Sequence, residues 1–276
     1  MGSASSDAQE NIDQKMPQMT NADRKMLCEV TDVDTGNFKR TTFAYLGPED
    51  VFYFGSTTIP KLKMKDEDFL AALKKVPDAD IYPVRTEDVM VFYGDLDEKL
   101  YIKRPKMTWY DDLAGSGVIA QLLMDEIKVT ELISKHPHPN LIKYHGCLVR
   151  RGYIVGIVLD EFGTTLEKHI NDKKQPVDIE RVMAGVEAGV RHLHSLGLAH
   201  NDINPMNVLL DEEQRPIIID FGSCKPFGEE LLSAGTPGWV KDELCCTSLQ
   251  ASDEYGIAKI HSWLEEHSET WEHAST

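Results

Sequence analysis

One polar run and one acidic triplet constrain this chain more than any other feature. The run reads His200-Asn201-Asp202-Ile203-Asn204-Pro205-Met206-Asn207, and Asp220-Phe221-Gly222 begins thirteen positions after it. Two apolar segments, 208–210 and 216–219, bracket a turn between the motifs, and the second predicted strand leads into Asp220. The polar run is therefore expected on a loop that regular structure holds in place. A lone Asp or Asn in a loop is usually a turn former, but an ordered set of this kind indicates a site.

The residue types in these two motifs suit phosphate chemistry. Carboxylate and amide oxygens, such as those of Asp202, Asn207 and Asp220, are hard groups of the kind that Mg²⁺ prefers. In both motifs and in their order, the chain resembles the protein kinase superfamily. The resemblance implies a two-lobed α+β fold with a β-rich N-lobe and a helical C-lobe, and we expect a shortened helical C-lobe because few residues follow the motifs. It also implies ATP and Mg as cofactors.

The resemblance implies a role for each matching residue. Asp202 is the expected catalytic base, which orients the acceptor hydroxyl and receives its proton. Asn207 and Asp220 are the expected metal ligands and also bind the cofactor. Asp160 and Phe162 lie in a segment, Asp160-Glu161-Phe162-Gly163, that looks like the connector between the lobes, and we expect them to bind the nucleotide.

A strand lysine that holds the nucleotide phosphates should precede these motifs, in the order that the family requires. We favour Lys103, a catalytic and cofactor-binding candidate near the end of a β-prone run. Lys106 follows Pro105, which should already have ended the strand. Lys99 shares a face with Lys103 but comes directly after a predicted turn. The sequence alone does not fully separate the three lysines.

Glu126 is the candidate for the helix acid that pairs with this lysine. A helix is predicted from about 118 to 135, and Glu126 shares one of its faces with apolar side chains, namely Leu122, Val129 and Ile133. Glu131 is the alternative acid, but it points away from that face. We therefore expect Glu126 to contribute to catalysis by pairing with the lysine.

The order of predicted elements gives the domain organisation. Residues 1–25 lack apolar periodicity and are expected to be disordered. Residues 26–160 should form the N-lobe with an N-terminal extension, and residues 161–276 a shortened C-lobe with the catalytic and activation loops. A β-hairpin is predicted from 89–93 and 99–103. A second amphipathic helix is predicted from about 178 to 196.

Composition limits the partners and the compartment. Acidic residues outnumber basic residues by 46 to 29, and the formal net charge is −17. Such a surface repels nucleic acid and anionic lipid, so we expect neither as a partner. The five cysteines show no CxxC spacing, which is typical of reduced thiols in a cytosolic or nuclear compartment. No apolar run is long enough for a transmembrane segment, and we expect a cytoplasmic protein.

Several positions depart from the family pattern. No GxGxxG precedes the predicted hairpin, and the turn at 85–88 carries two acids, which would repel phosphate. Three explanations are open: another segment covers the nucleotide, Arg85 contributes to phosphate binding, or the nucleotide binds weakly. Asn201 replaces the arginine that reads an activation-loop phosphate in the family, and Asn204 replaces a lysine that steadies the γ-phosphate. The latter change resembles small-molecule phosphotransferases.

The C-terminal part of the chain resembles a kinase in two further segments. Gly235 to Trp239 is similar to the start of a peptide-positioning segment, and 252–256 to the opening of a large buried helix. The analogy predicts that Asp253 accepts hydrogen bonds from backbone near His200. Only about 23 residues follow Asp253, too few for the family's last helices.

Three functions fit these observations. The first is a kinase that transfers the ATP γ-phosphate to a Ser or Thr hydroxyl of a protein, and it is the one we favour. The second is a phosphotransferase of the same fold that acts on a small-molecule hydroxyl. The third is an inactive pseudokinase that serves as a binding module, which ranks last because a chain losing activity would tend to lose part of the site.

Overall fold

The computed structural model describes residues 27–32, 34–172, 176–232 and 235–272, with side chains described up to residue 267. The segment 1–25, predicted to be disordered, lies outside the described residues. The described chain divides into two compact units, one of 27–81 with 106–117 and one of 82–105 with 118–272. The predicted lobe boundary at residue 160 falls inside the second unit, and the assignment of two lobes remains a prediction.

The strands are short and come from both units. They are β1 (Leu27–Thr31), β2 (Phe38–Leu46), β3 (Phe52–Thr57), β4 (Lys74–Lys75), β5 (Leu100–Lys103), β6 (Tyr144–Arg150), β7 (Tyr153–Asp160), β8 (Thr164–Thr165), β9 (Leu198–Ala199), β10 (Val208–Leu210), β11 (Pro216–Ile218) and β12 (Lys225–Pro226). The helices are α1 (Asp66–Ala72), α2 (Asp78–Ile81), α3 (Tyr110–Leu113), α4 (Val118–Ser134), α5 (Leu166–Asn171), α6 (Ile179–Ser195) and α7 (Gln250–Glu272). The predicted α+β class is confirmed.

The first unit is an antiparallel sheet in the order β1-β2-β3-β4 with α1 packed against it. The ring of Phe43 lies 4.7 Å from that of Phe69 on α1, and both are buried with Leu27. Gly55 stands opposite Phe43, where an added Cβ would lie 2.4 Å from the ring. The absence of a side chain at Gly55 therefore leaves room for the Phe43 ring.

The sheet of the second unit has the order β5-β7-β6, and all its pairs are antiparallel. The predicted hairpin is wrong, because 89–93 does not pair with β5. Val91 instead forms a parallel bridge with Cys147 on β6, and Met90 donates its N–H to Glu131 Oε1 at 2.7 Å. Residues 89–93 therefore hydrogen-bond to the open edge of β6. Local β-propensity does not reveal which edge a segment pairs with.

The turn at 85–88 lies beside the β6–β7 turn. Arg85 donates its N–H to the Gly152 carbonyl at 3.0 Å, and Val84 bridges to Tyr153. Tyr153 precedes Ile157, the residue paired with Lys103, by four positions of β7, about 13 Å of strand. We therefore assign Arg85 no role beside Lys103.

Two of the long helices in the second unit, α4 and α6, match their predictions. Helix α4 spans Val118–Ser134, and α6 spans Ile179–Ser195, where Asp178 caps the first turn by accepting from the Arg181 N–H at 3.0 Å. Helix α6 buries one apolar stripe, namely Val182, Met183, Val186, Val190 and Leu193. None of the helices in the described residues is both long and apolar enough to cross a membrane.

Candidate functional site

The buried carboxylate of Asp253 on α7 holds the start of the polar loop. It has no exposed surface and accepts the backbone N–H of His200 at 2.8 Å and of Asn201 at 2.7 Å. His194 Nε2 on α6 donates a third hydrogen bond at 2.8 Å. The predicted contact with backbone near His200 is confirmed. A buried carboxylate with three donors fixes the loop because any displacement would leave these polar groups unpaired.

Asp202 follows directly, and neutral donors orient its carboxylate. Oδ1 accepts the Thr236 N–H at 2.7 Å and the Asn204 amide at 2.9 Å. Oδ2 accepts the Asn207 amide at 2.9 Å. These three hydrogen bonds hold the carboxylate in one orientation, and no described hydrogen bond or ion pair joins it to a cationic side chain.

Asn207 is oriented by the same residue. Its amide nitrogen donates to the Asp202 carbonyl and to Oδ2, each at 2.9 Å, which turns its own amide oxygen away from Asp202. Ile219, the residue before Asp220, donates its N–H to the Asn207 carbonyl at 3.0 Å. His200 Nε2 donates to the Ile219 carbonyl, also at 3.0 Å. The polar loop and the Asp220 triplet are therefore joined by direct hydrogen bonds.

Asp220 has an unusual backbone for a residue other than glycine. Its φ of 64° and ψ of 76° lie in the left-handed region, and its Oδ1 accepts the Gly222 N–H at 3.2 Å. Non-glycine residues in this region cluster at functional sites, where the surroundings hold them. The Asp220 carboxylate and the Asn207 amide offer oxygen atoms of the hard type that Mg²⁺ prefers.

Lys103 connects this group to α4. Its ammonium group contacts Glu126 Oε1 and lies 2.6 Å from Asp220 Oδ1. The side chains of Lys103 and Glu126 are 13% and 10% exposed, so the contact is largely shielded from water. Burial alone would lower the pKa of Lys103, but the carboxylates of Glu126 and Asp220 outweigh burial and raise that pKa. The lysine is therefore cationic at neutral pH.

The alternatives for this ion pair lie elsewhere. Lys99 and Lys106 are exposed, and Lys106 belongs to the first unit. Glu131 accepts the Met90 N–H and the Tyr144 hydroxyl, the latter at 2.8 Å. Among the predicted candidates, the structure thus joins Lys103 with Glu126.

Asp160 and Phe162 are not brought to this group by their side chains. His145 Nε2 donates to Asp160 Oδ1 at 2.5 Å, and both predicted nucleotide-binding residues line a cavity of about 600 Å³ bounded by the end of α4 and by segment 137–144. The backbone N–H groups of Asp160 and Glu161 donate to the carbonyls of Lys143 and Lys99. Among the described hydrogen bonds, none uses the N–H of Phe162. A contribution of this connector to a nucleotide would therefore come from its backbone.

Two contacts of the site were not found by sequence reasoning. Lys225, five residues after Asp220, lies 2.8 Å from Asp125, the neighbour of Glu126. Thr236 was noted only as part of a peptide-positioning segment, yet its N–H binds Asp202. Neither contact follows a local period or spacing, because each joins segments that are distant in the chain.

Comparisons with known proteins agree with this geometry. The model of the protein kinase domain matches residues 109–263, which is more than half of the chain. The match includes Glu126, Asp202, Asn207 and Asp220, whereas Lys103 precedes it. The family match therefore does not cover Lys103, whose predicted pairing with Glu126 is seen in the structure.

Several kinases are similar to part of the chain. A serine/threonine-protein kinase/endoribonuclease IRE1 of Hypocrea jecorina is 31% identical over 56% of this chain and 13% of its own length. The serine/threonine-protein kinase TAO1-B of Xenopus laevis is 32% identical over 44% of this chain and 12% of its own. The fatty acyl-CoA synthetase and RNA processing-associated kinase 1 of Saccharomyces cerevisiae is 32% identical over 50% of this chain and 16% of its own.

The chain thus matches a small fraction of the length of each of these relatives, 12–16%. The region that the protein kinase domain model matches runs through α4 and α6 into α7 and carries the polar loop, the Asp220 triplet and the buried Asp253. With the domain model matching more than half of its residues, this chain belongs to the protein kinase family.

Proposed function

We propose that the protein is an ATP- and Mg-dependent phosphotransferase that acts on Ser or Thr hydroxyls of a protein substrate. The observation that carries the proposal is the contact of the Lys103 ammonium group with both Glu126 and Asp220. Kinases need a strand lysine paired with a helix acid, together with a second-motif acid that holds Mg²⁺, and this contact brings those three residues together. It comes from three segments of the chain, so a chance turn sequence does not explain it.

Each residue has a distinct role in the proposal. Lys103 would bind the α- and β-phosphates, and Glu126 keeps its ammonium group in place. Asn207 and Asp220 would hold Mg²⁺, which when bound neutralises charge on the phosphate oxygens. The backbone N–H of Phe162 is the candidate donor to the adenine ring, because it has no partner among the described hydrogen bonds.

Asp202 would receive the proton of the acceptor hydroxyl. Its carboxylate is oriented by the Thr236 N–H and by the amides of Asn204 and Asn207. These donors fix the direction of the carboxylate oxygens, so that one of them can accept a hydrogen bond from an incoming hydroxyl group. A carboxylate held in this way suits an alcohol acceptor, because the hydroxyl must lose its proton as its oxygen bonds to phosphorus.

A small-molecule acceptor is the second candidate, and Asn204 is the observation that favours it. Asn204 is fully buried, and its amide binds Asp202 and, at 3.2 Å, Thr236 Oγ1. A neutral side chain therefore stands where the family's protein kinases carry a cationic lysine. The Asp220 triplet and the Gly235-Thr236 segment favour the protein acceptor.

A transfer assay tests the proposal and separates the acceptors. The protein is incubated with ATP labelled in the γ-phosphate, with Mg²⁺, and with either a generic basic protein or a metabolite extract. We expect label on Ser or Thr of the basic protein, because the acidic chain attracts basic partners. Turnover with the extract alone would assign a small-molecule acceptor, and no turnover together with no nucleotide binding would assign a pseudokinase.

The proposal includes a cytoplasmic location and excludes nucleic acid as a partner. All five cysteines, each in the described residues, carry free thiols, as is usual in reducing compartments. The net charge of −17 opposes binding to a phosphate backbone. Fractionation of cells that express the full chain, with thiol labelling before lysis, tests the compartment.

A further inference from the structure

Asn201 is a buried junction between three parts of the second unit. It is 3% exposed and has a positive φ of 62°. Its amide nitrogen donates to the carbonyls of Ala199 at 2.9 Å and Ser223 at 3.0 Å, and to Ser248 Oγ at 2.9 Å. Its amide oxygen accepts the Leu249 N–H at 3.2 Å. One neutral side chain thus ties the polar loop to the segment after Asp220 and to the residues before α7.

Ser248 extends this junction to Lys225. The Ser248 side chain has no exposed surface, and its hydroxyl donates to the Lys225 carbonyl at 3.0 Å. The backbone of Lys225 pairs with Ala199 in the β9–β12 ladder. The backbone of Lys225 is therefore held both by Ser248 and by its strand partner Ala199.

The side chain of Lys225 continues the connection to α4. Its ammonium group lies 2.8 Å from Asp125 Oδ2, and the two side chains are only 17% and 19% exposed. Asp125 precedes Glu126, the partner of Lys103. Two adjacent acids of α4 thus bind two lysines, one on the sheet and one after Asp220. Rotation or outward movement of α4 would break both contacts.

A phosphate group added to the segment after Asp220 would find no favourable charge in this network. Asn201, Ser248 and the carbonyls that they bind are neutral. The cation of the network, Lys225, is already paired with Asp125. The neighbouring buried group, Asp253, is an acid and would repel a phosphate. An added phosphate would therefore gain no unpaired cation here.

We propose that Asn201, Ser248 and Lys225 form a clasp that holds the segment after Asp220 and helix α4 in the arrangement for phosphate transfer, without phosphorylation of that segment. The proposal rests on the proposed function and describes the regulation of the same site. The three residues act as positioning residues, since they touch Asp125, Asp253 and backbone groups rather than the reacting atoms.

Cys224 gives a direct readout of the clasp. It lies between Ser223 and Lys225 and is 1% exposed. Burial raises the pKa of the Cys224 thiol, with Asp253 and Glu126 adding to the effect, so the thiol should react slowly while the clasp is closed. Opening of the segment would expose the thiol and restore its ordinary reactivity.

The test uses the full chain, treated with a phosphatase and shown by mass spectrometry to carry no phosphate. Alkylation of Cys224 by iodoacetamide is followed by peptide mapping, and ATP turnover is measured on the same samples. We expect slow alkylation and a kcat within about twofold of the untreated protein. Ser248→Ala and Asn201→Ala should speed alkylation of Cys224 by about tenfold or more and lower kcat by about tenfold or more, with KM for ATP nearly unchanged.

Two further variants separate the clasp from a general loss of stability. Ser195→Ala removes a hydroxyl whose one hydrogen bond among the described residues is to the His192 carbonyl of its own helix, and it should leave both readouts at wild-type values. Lys225→Asp should open the clasp by placing two acids together, and the added change Asp125→Lys should restore at least part of the protection of Cys224. This reciprocal rescue requires a direct contact between the two side chains.

Dephosphorylation that speeds alkylation of Cys224 to the rate of Asn201→Ala, or that lowers kcat more than tenfold, would overturn the clasp. Absence of rescue in the charge-swapped pair would do the same. If neither the wild type nor any variant turns over ATP, the proposed function fails. The alkylation rate of Cys224 then tests the clasp by itself. Protection in the phosphate-free wild type with loss in the variants supports it, and rapid labelling of the wild type contradicts it.

Discussion

The ammonium nitrogen of Lys103 lies 2.6 Å from a carboxylate oxygen of Asp220, although the residues are 117 positions apart in the chain. Glu126 contacts the same ammonium group. One cation therefore separates two acids that would otherwise repel each other in a poorly hydrated site. The contact joins β5, α4 and the second motif, and it makes Lys103 the residue on which the charge balance of the site depends.

Replacing this cation tests its role. Lys103→Met keeps the apolar length of the side chain but leaves Glu126 and Asp220 without their shared partner. We expect ATP turnover to fall by about a hundredfold or more. The free energy of unfolding should fall by about 3 kcal/mol, the lower end for breaking a buried ion pair. Denaturant titration and steady-state kinetics measure the two effects.

Lys99→Met is the matched control, since Lys99 is an exposed lysine of the same segment. It should change neither stability nor turnover. Equal losses in the two variants would remove Lys103 from the phosphate site and return Lys99 to consideration.

The Asp202 carboxylate should matter for the chemical step and little for nucleotide affinity. Asp202→Ala removes the proton acceptor, so kcat should fall by about 10² to 10⁴. The affinity for ATP, measured by calorimetry with Mg²⁺, should stay within about threefold because Lys103 and Asp220 remain. A parallel loss of ATP affinity would mean that Asp202 binds the cofactor instead of the acceptor hydroxyl.

Asp253 should stabilise the polar loop from beneath. In Asp253→Ala the N–H groups of His200 and Asn201 and the His194 ring lose their acceptor in a buried place. We expect the free energy of unfolding to fall by about 3 kcal/mol or more. Asp253→Asn keeps one acceptor oxygen and should lose less. Melting of the alanine variant at the wild-type temperature would contradict this account of the loop.

The sequence predicts the structure correctly where the residues that determine it lie close together in the chain. Helices α4 and α6 were predicted to within a residue or two because their apolar positions follow the helical period over many turns. The polar loop, the strand pair β10–β11 and Asp220 were predicted because motif and turn lie within about twenty residues of each other. The resemblance also gave the contact of Asp253 with the loop.

The sequence does not predict contacts between segments that are far apart in the chain. Residues 89–93 have the composition of a hairpin strand, yet Glu131 and Cys147 bind them at another sheet edge. Strand pairing of this kind depends on which backbone edge is open, and propensity carries no information about that edge. The contact of Lys225 with Asp125 has the same character, since 99 residues separate the two positions.

Binding of ATP and Mg²⁺ tests the central claim most directly. Calorimetric titration of the wild type with ATP should show saturable binding that weakens sharply when EDTA replaces Mg²⁺, because Asn207 and Asp220 would hold the metal against the phosphates. Asp220→Asn should lose this dependence on Mg²⁺, whereas Asp95→Asn, the same change in an exposed loop, should keep it. Metal-independent binding in the wild type, or no binding at millimolar ATP, would contradict the assignment of the site.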